Sequence, residues 1–247
     1  MIQLKSKSEI DAIRDAGRIV AATLGALKEM IRPGLKTLEL DKAAVDIITK
    51  KGGAPAFKGY RGYPANICTS VNEEVVHGIP SMKTLKDGDV ISIDVGVELD
   101  GYFGDGALTV GVGAIGPKAA NIISTTKAAL DAGIDAVRAG NKVSDISCSI
   151  QRVAETAGFS VVRAFVGHGV GARMHEEPEI PNFGRPGAGP KLEKGMVLAI
   201  EPMVNAGTYE VEVLDDGWTA VTKDKMISAH FEHTVVVTDH DAEILTI

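Results

Sequence analysis

Cysteine is nearly missing from this chain of 247 residues, with only Cys68 and Cys148 present. Two cysteines support neither a disulfide framework nor a zinc site built on thiolates. Aromatic residues make up 4%, with one tryptophan, Trp218. No apolar run reaches the ~18 residues needed to cross a bilayer, and the opening MIQLKSKSEIDAIRDAG lacks the continuous apolar core of a secretory signal. An excess of basic residues is also absent: the net charge is -7, which argues against a nucleic-acid binder held by phosphate neutralisation. What is present, 45% hydrophobic and 24% charged residues, describes a globular chain with a substantial core in one domain or two. A cytoplasmic location is the expectation.

Ile10, Ile13, Gly17, Val20, Leu24, Leu27 and Ile31 step by three and four, the buried stripe of an amphipathic helix that Arg32-Pro33-Gly34 stops. A second helix is expected from Thr37 to about Lys51, followed by strands to about Val112. The helical pattern returns over Pro117 to Ala139 and Val143 to Ala157, and strands broken by glycine loops continue from there. This order suggests a duplication. LKDGDVISID (85 to 94) lies over LEKGMVLAIE (192 to 201) at an offset of 107, with Asp94 falling on Glu201. R-x-G-x-K recurs at Arg32 and Arg138, an offset of 106. The expectation is a single catalytic domain of two related halves, about 1–112 and 113–247, with two carboxylates facing one centre.

Strand parity adds a third acid. Asp100-Gly101 is a hairpin signal, so Leu99 pairs with Tyr102 and, counting outward, Asp94 with Ala107. Asp105 then shares the face of Asp94 as a diagonal neighbour, roughly 7 Å away or less. In SAHFEHTVVVTD (228 to 239) the run Val235 to Val237 marks a central strand with Glu232 at its start. Each acid taken singly reads as a solvated strand end. Four carboxylates converging in a core repel one another unless protonated or paired with cations. Asp94, Asp105, Glu201 and Glu232 match two divalent ions sharing a water, with a histidine completing the set. Such a pair activates water and polarises a carbonyl, which is hydrolytic chemistry.

In chain order, VNEEVVHGIP, ISIDVG, GYFGDGA, GHGVGARMHEEPEIPNFG, VLAIEPMV and AHFEHTVVVTD resemble the type I methionine aminopeptidases across almost the whole chain. The resemblance implies an α+β pita-bread fold, shared with prolidase and creatinase: two pseudo-twofold-related αα-β halves with a central antiparallel sheet backed by helices. It implies a dinuclear exopeptidase that removes initiator methionine when the second residue is small. Asp94, Asp105, His168, Glu201 and Glu232 are its implied metal ligands, with Asp105 and Glu232 bridging. The ions are Co, Mn, Fe or Zn, which these ligands do not distinguish. His77 and His175 are implied substrate contacts, and Glu201, His77 and His175 the catalytic groups. Gly167 and Gly169 beside His168 read as allowing close backbone approach to a metal, and Glu176 and Glu177 as orienting the loop.

Phe57, Tyr60, Tyr63, Cys68, His77, Met174 and Trp218 resemble the methionine pocket. Phe57 stands where some bacterial relatives carry cysteine, Met174 where they carry phenylalanine, and Gly106 where threonine is common. The implied partners are the N-terminal methionine of nascent polypeptides and peptides, with transient ribosome association, no specific nucleic acid, no membrane and a monomeric chain. The first helix starts within about ten residues, and only 33 positions separate His168 from Glu201. The expectation is therefore the form without an N-terminal extension or the type II helical insertion.

Other patterns point away from nucleotides. GVGAIG (111 to 116) fits a dinucleotide fingerprint, but its helix leads into another helix rather than a parallel strand. GRPGAGPK places Pro190 where a phosphate loop needs lysine. A non-catalytic binding module of the same fold is the alternative from another class. The complete ligand set opposes it, and metal content with an aminopeptidase assay separates the two.

Overall fold

Ser6 and Glu9 start the first helix by capping each other. The Ser6 N–H donates to Glu9 Oε2 at 2.7 Å and the Glu9 N–H to Ser6 Oγ at 3.4 Å, which satisfies two donors that a helix end otherwise leaves unpaired. In the computed structural model, which describes residues 2–247, this helix is α1 (Lys7–Met30), followed by α2 (Thr37–Lys50). Ile13, Val20 and Leu27 of the expected stripe are fully buried. Five strands come next: β1 (Ala54–Pro55), β2 (Cys68–Val71), β3 (Glu74–Val76), β4 (Val90–Leu99) and β5 (Tyr102–Gly111).

A second helical pair, α3 (Pro117–Asp135) and α4 (Val143–Thr156), opens the rest of the chain. The first of these ends at Asp135 rather than Ala139, because Asn141 Nδ2 turns back to donate to the Ala136 carbonyl at 2.9 Å and Gly140 takes a left-handed φ of 100°. The remaining strands are β6 (Ser160–Val161), β7 (Val166–Gly169), β8 (Glu176–Pro181), β9 (Val197–Ile200) and β10 (Met203–Asn205). They continue as β11 (Val211–Val213), β12 (Ala220–Thr222), β13 (Ser228–His230), β14 (Glu232–Val237) and β15 (Ala242–Ile244).

The main sheet is antiparallel, in the order β1-β4-β5-β14-β9-β7-β8, with β2 beside β4 and β15 beside β14. The hairpin register is the one parity predicts: Leu99 faces Tyr102 and Asp94 faces Ala107. Strand β14 is central, between β5 and β9. Leu24 and Leu27 of α1 and Leu40 and Ile48 of α2 pack with Ile91, Ile93, Val95 and Val97 of β4. Ile122 and Leu130 of α3 and Ile146 and Ile150 of α4 pack with Leu198, Ile200 and Val235. Each such side chain contributes about 1.5–3 kcal/mol by leaving water, and these clusters fix the sheet against the helices. The sheet thereby becomes a rigid platform for polar groups on its other face.

Both helical pairs enter through the same hydrogen bonds, displaced by 106 or 107 positions. Gly34 N–H donates to Leu85 O (2.8 Å), Leu85 N–H to Leu35 O (2.8 Å) and Thr37 N–H to Lys83 O (3.0 Å). Gly140 N–H donates to Leu192 O (2.9 Å), Leu192 N–H to Asn141 O (2.7 Å) and Val143 N–H to Pro190 O (3.0 Å). Among the described residues, no helix is long and apolar enough to cross a membrane.

Candidate metal centre

Four strands and the end of a fifth carry the polar side chains that meet above the sheet. Asp94 comes from β4, Asp105 from β5 and His168 from β7; Glu201 directly follows β9, and Glu232 opens β14. Their convergence is a matter of register: Ala107 faces both Asp94 and Glu232, and Asp105 lies two residues before it on the same face. Thr234 locks Asp105 in place, since its Oγ accepts from the Asp105 N–H at 3.0 Å and donates to the Asp105 carbonyl at 2.8 Å. One donor atom each from Asp105, His168 and Glu232 lie within 4.8 Å of one another.

His168 Nδ1 is 2.9 Å from the Gly169 carbonyl, which only accepts, so the ring proton sits on Nδ1. That leaves the Nε2 lone pair aimed at the acids, 3.5 Å from Glu201 Oε1 and 3.7 Å from Asp105 Oδ2. Burial lowers the His168 pKa to about 4, opposed by the bond to Gly169, so the imidazole is a neutral donor. This is the usual way a ligand histidine is oriented from behind.

Burial lifts Asp94 to about 7. Asp105, Glu201 and Glu232 are pushed well above the carboxylate range, by burial first and then by the charges of one another and of Asp94. Among the described residues no lysine or arginine pairs with any of the four. Asp94 Oδ1 and Glu232 Oε1 are buried without a hydrogen-bond partner. Unpaired buried carboxylate oxygens facing a neutral imidazole are a donor set for cations, and four carboxylates with one imidazole nitrogen suit divalent transition metals.

A cavity of about 120 Å³ opens on these acids. Its walls include Phe57, Tyr60, Tyr63, Cys68, His77, His175 and Trp218. The Tyr63 hydroxyl is occupied by the carbonyls of Ile67 (3.1 Å) and Gly78 (3.0 Å), and its ring meets Trp218 edge-on at 5.1 Å. Burial and the Asp94 charge push the Cys68 thiol up, so Cys68 is apolar wall rather than nucleophile. His175 stacks on Tyr60 at 5.1 Å and approaches His168 at 4.1 Å between ring centroids. Burial, then His168, Arg61 and His77, lower it to about 3, and burial lowers His77. Both imidazoles stay neutral at physiological pH. His77 takes a left-handed φ of 62°, a conformation of the kind that functional sites retain at a cost.

Some residues sit differently from the sequence expectation. Met174 is not in the cavity wall; it packs behind it with Phe57, where a Cβ on Gly96 would come within 2.7 Å of Met174 Cε and 2.5 Å of Phe57 Cε1. Packing alone requires glycine at 167 and 169: a Cβ would lie 2.5 Å from the Ala199 carbonyl oxygen and 2.3 Å from that of Glu177, so both are small to let β7 pack between its neighbours. Gly106 faces α1, and a Cβ there would sit 3.0 Å from Val20; a threonine at this position crowds that helix.

Two cavity neighbours escaped the sequence reading. Arg61, with φ of 50°, lies over the Tyr60 ring at 5.4 Å; its place between Tyr60 and Tyr63 is the signal that could have found it. His230 places Nε2 3.9 Å from Glu201 Oε2, buried and without a hydrogen-bond partner. It precedes Glu232 by two residues, the spacing that shares one face of an extended chain. His233 is held instead by Thr246 at 2.8 Å.

This site on this sheet defines a metallopeptidase: residues 11–239 match Metallopeptidase family M24, and the chain belongs to that family. It is 54% identical to a methionine aminopeptidase of Clostridium perfringens, over 100% of this chain and 99% of that protein. With methionine aminopeptidase 1 of Bacillus subtilis it shares 51%, over 100% and 99%. The crystal structure of methionine aminopeptidase from Thermotoga maritima superposes with a TM-score of 0.98 at 46% identity, covering 100% of this chain and 99% of that one. Prolidase from Pyrococcus furiosus, 22% identical with a TM-score of 0.79 over 99% of this chain and 65% of its own, shares the fold alone.

Proposed function

We propose that this chain hydrolyses the first peptide bond of substrates that begin with methionine, releasing the initiator methionine of nascent proteins and peptides when the second residue is small. The observation that carries this is the junction of two features in one cavity: an aromatic and thiol-lined wall sized for one side chain, and unpaired buried carboxylates beside a neutral histidine. Full-length relatives named methionine aminopeptidase support it. We assign Asp94, Asp105, His168, Glu201 and Glu232 as the residues that would hold two divalent ions drawn from Co, Mn, Fe or Zn. Divalent metal, when bound, lowers the pKa of water and polarises a carbonyl.

The protein's own groups do the rest. Glu201 accepts a proton from water at a carboxylate oxygen and returns it to the leaving amine. The neutral imidazoles of His175 and His77 hydrogen-bond the amide that is cut. Phe57, Tyr60, Tyr63, Cys68 and Trp218 hold the methionine side chain, backed by Met174. We further infer one catalytic domain of two related halves, 1–112 and 113–247, supported by the hydrogen bonds repeated between them. A monomeric cytoplasmic enzyme with transient ribosome association, no specific nucleic acid and no membrane completes the reading.

The decisive experiment is hydrolysis of Met-Ala-X against Leu-Ala-X and Ala-Pro-X peptides with Mn, Fe, Co and Zn added in turn to chelated protein. Cleavage of Met-Ala-X that disappears with chelator and returns with metal is the expected result, with two ions bound per chain at saturation. Leucine should trail methionine by a modest factor, since apolar pockets separate similar side chains by about 1–3 kcal/mol. Equal cleavage of all three peptides, or full activity in chelator, overturns it.

A further inference from the structure

Lys5, just ahead of α1, reaches the turn that carries His175 through its side chain. Lys5 Nζ lies 2.5 Å from Glu176 Oε2, and the two side chains are only 3% and 4% exposed. The segment is fixed by its backbone too, with the Lys5 N–H donating to the Gly195 carbonyl at 2.8 Å. Glu176 follows His175 directly. Its second oxygen accepts from the Arg173 N–H at 3.1 Å, closing the turn 173–176 in which His175 sits. Gly171, whose N–H donates to the Arg173 carbonyl at 3.1 Å, leaves room for this arrangement: a Cβ there would lie 2.3 Å from Lys5 Cε and 2.7 Å from Nζ.

The His175 ring itself has no such anchor. Among the described residues it makes ring contacts with Tyr60 and His168 and no hydrogen bond, so its direction follows from the backbone that carries it. That backbone is tied down on one side by the Glu176 carboxylate, and the carboxylate by Lys5. We propose that Lys5 is a positioning residue for His175, its buried ion pair with Glu176 holding the turn that presents the imidazole to the substrate. The proposal rests on the function given above and assigns Lys5 a part in it.

A buried pair broken on one side leaves an uncompensated charge, whereas replacing both partners by neutral groups relieves that penalty. Stability and positioning therefore separate in a set of three variants: Lys5→Met, Lys5→Arg and Lys5→Met/Glu176→Gln. Turnover of Met-Ala-X, bound metal and Tm are measured for each, well below its Tm. Lys5→Met should lose Tm and roughly 10- to 100-fold in kcat, the scale of a catalytic group displaced by a fraction of its contact distance, with metal content unchanged. Lys5→Arg should keep most of the activity. The double variant should regain Tm but not kcat.

A readout independent of turnover is the histidine ring signals of metal-free, isotopically labelled protein, with His175 assigned from His175→Ala. The Lys5→Met change should move the His175 signal and leave that of His77 in place. If kcat recovers with Tm in the double variant, or the His175 signal stays put, the pair only stabilises the fold and the proposal fails. Absence of Met-Ala-X cleavage by the metal-loaded parent protein refutes the assigned function instead.

Discussion

Glu201 and Asp94 occupy corresponding places in the two matched segments, yet differ by one methylene. The longer side chain reaches both toward His168 Nε2, at 3.5 Å, and toward His230 Nε2, at 3.9 Å, so it spans more of the centre than a ligand alone requires. Glu201→Gln keeps the shape and removes the proton acceptor. A loss of at least ~100-fold in kcat is expected, in the range of a lost general base, and excess metal should not restore it. Asp94→Asn should fail by losing metal, and saturating ion should recover much of its turnover. Recovery of Glu201→Gln by metal alone reduces Glu201 to a ligand. His77→Ala and His175→Ala should each cost about 100-fold in turnover, as for a lost hydrogen-bond donor to a reacting carbonyl, while binding metal normally. Metal analysis of the two variants decides this, since loss of the ion makes that histidine a ligand.

At the scale of single elements, β4 carries both a ligand and the pocket's rear support. Asp94 points to the centre, and Gly96, two residues on, leaves the space that Phe57 and Met174 fill. Gly96→Ala forces those side chains outward by contacts near 2.5 Å. The expected cost is about 1–3 kcal/mol of stability, as for overpacked cores, together with a raised KM for Met-Ala-X and unaltered metal content. Thermal unfolding and steady-state kinetics test both parts. Unchanged KM would show that the wall of the cavity moves independently of its support. The same strand shows how far parity reaches: the Asp100-Gly101 turn sets the register, and that register alone brings Asp105 to the side of Asp94.

Over the whole molecule, the centre sets stability against charge. Burial holds Asp94 at about 7, while an unfolded chain releases that proton near the ordinary carboxylate value of about 4. Between these values the folded, metal-free protein binds more protons than the unfolded one, so its stability falls as pH rises through that window. Metal competes for the same oxygens and releases those protons. The rise in Tm on adding divalent ion to chelated protein should therefore be larger at about pH 8 than at about pH 5. Calorimetry at the two pH values checks it, and an increment independent of pH contradicts the assignment of these acids to the metal.

Helix positions, the hairpin register and the order of helices and strands were legible from periodicity, turn residues and repeats, because those signals are local. The identities of the acids were legible as well, since parity and the matched segments put Asp94, Asp105 and Glu201 on corresponding faces. What only tertiary structure decided is which groups lie across strands that are far apart in the chain. His230 reads as core histidine until β13 folds beside Glu201, Arg61 as a surface charge until its left-handed turn sets it over Tyr60, and Met174 as pocket wall until Phe57 packs in front of it. The Lys5–Glu176 pair joins residues 171 positions apart, and nothing local in either segment encodes it. Its formation depends on the Gly195 carbonyl, just before β9, holding the Lys5 backbone near the turn that carries His175.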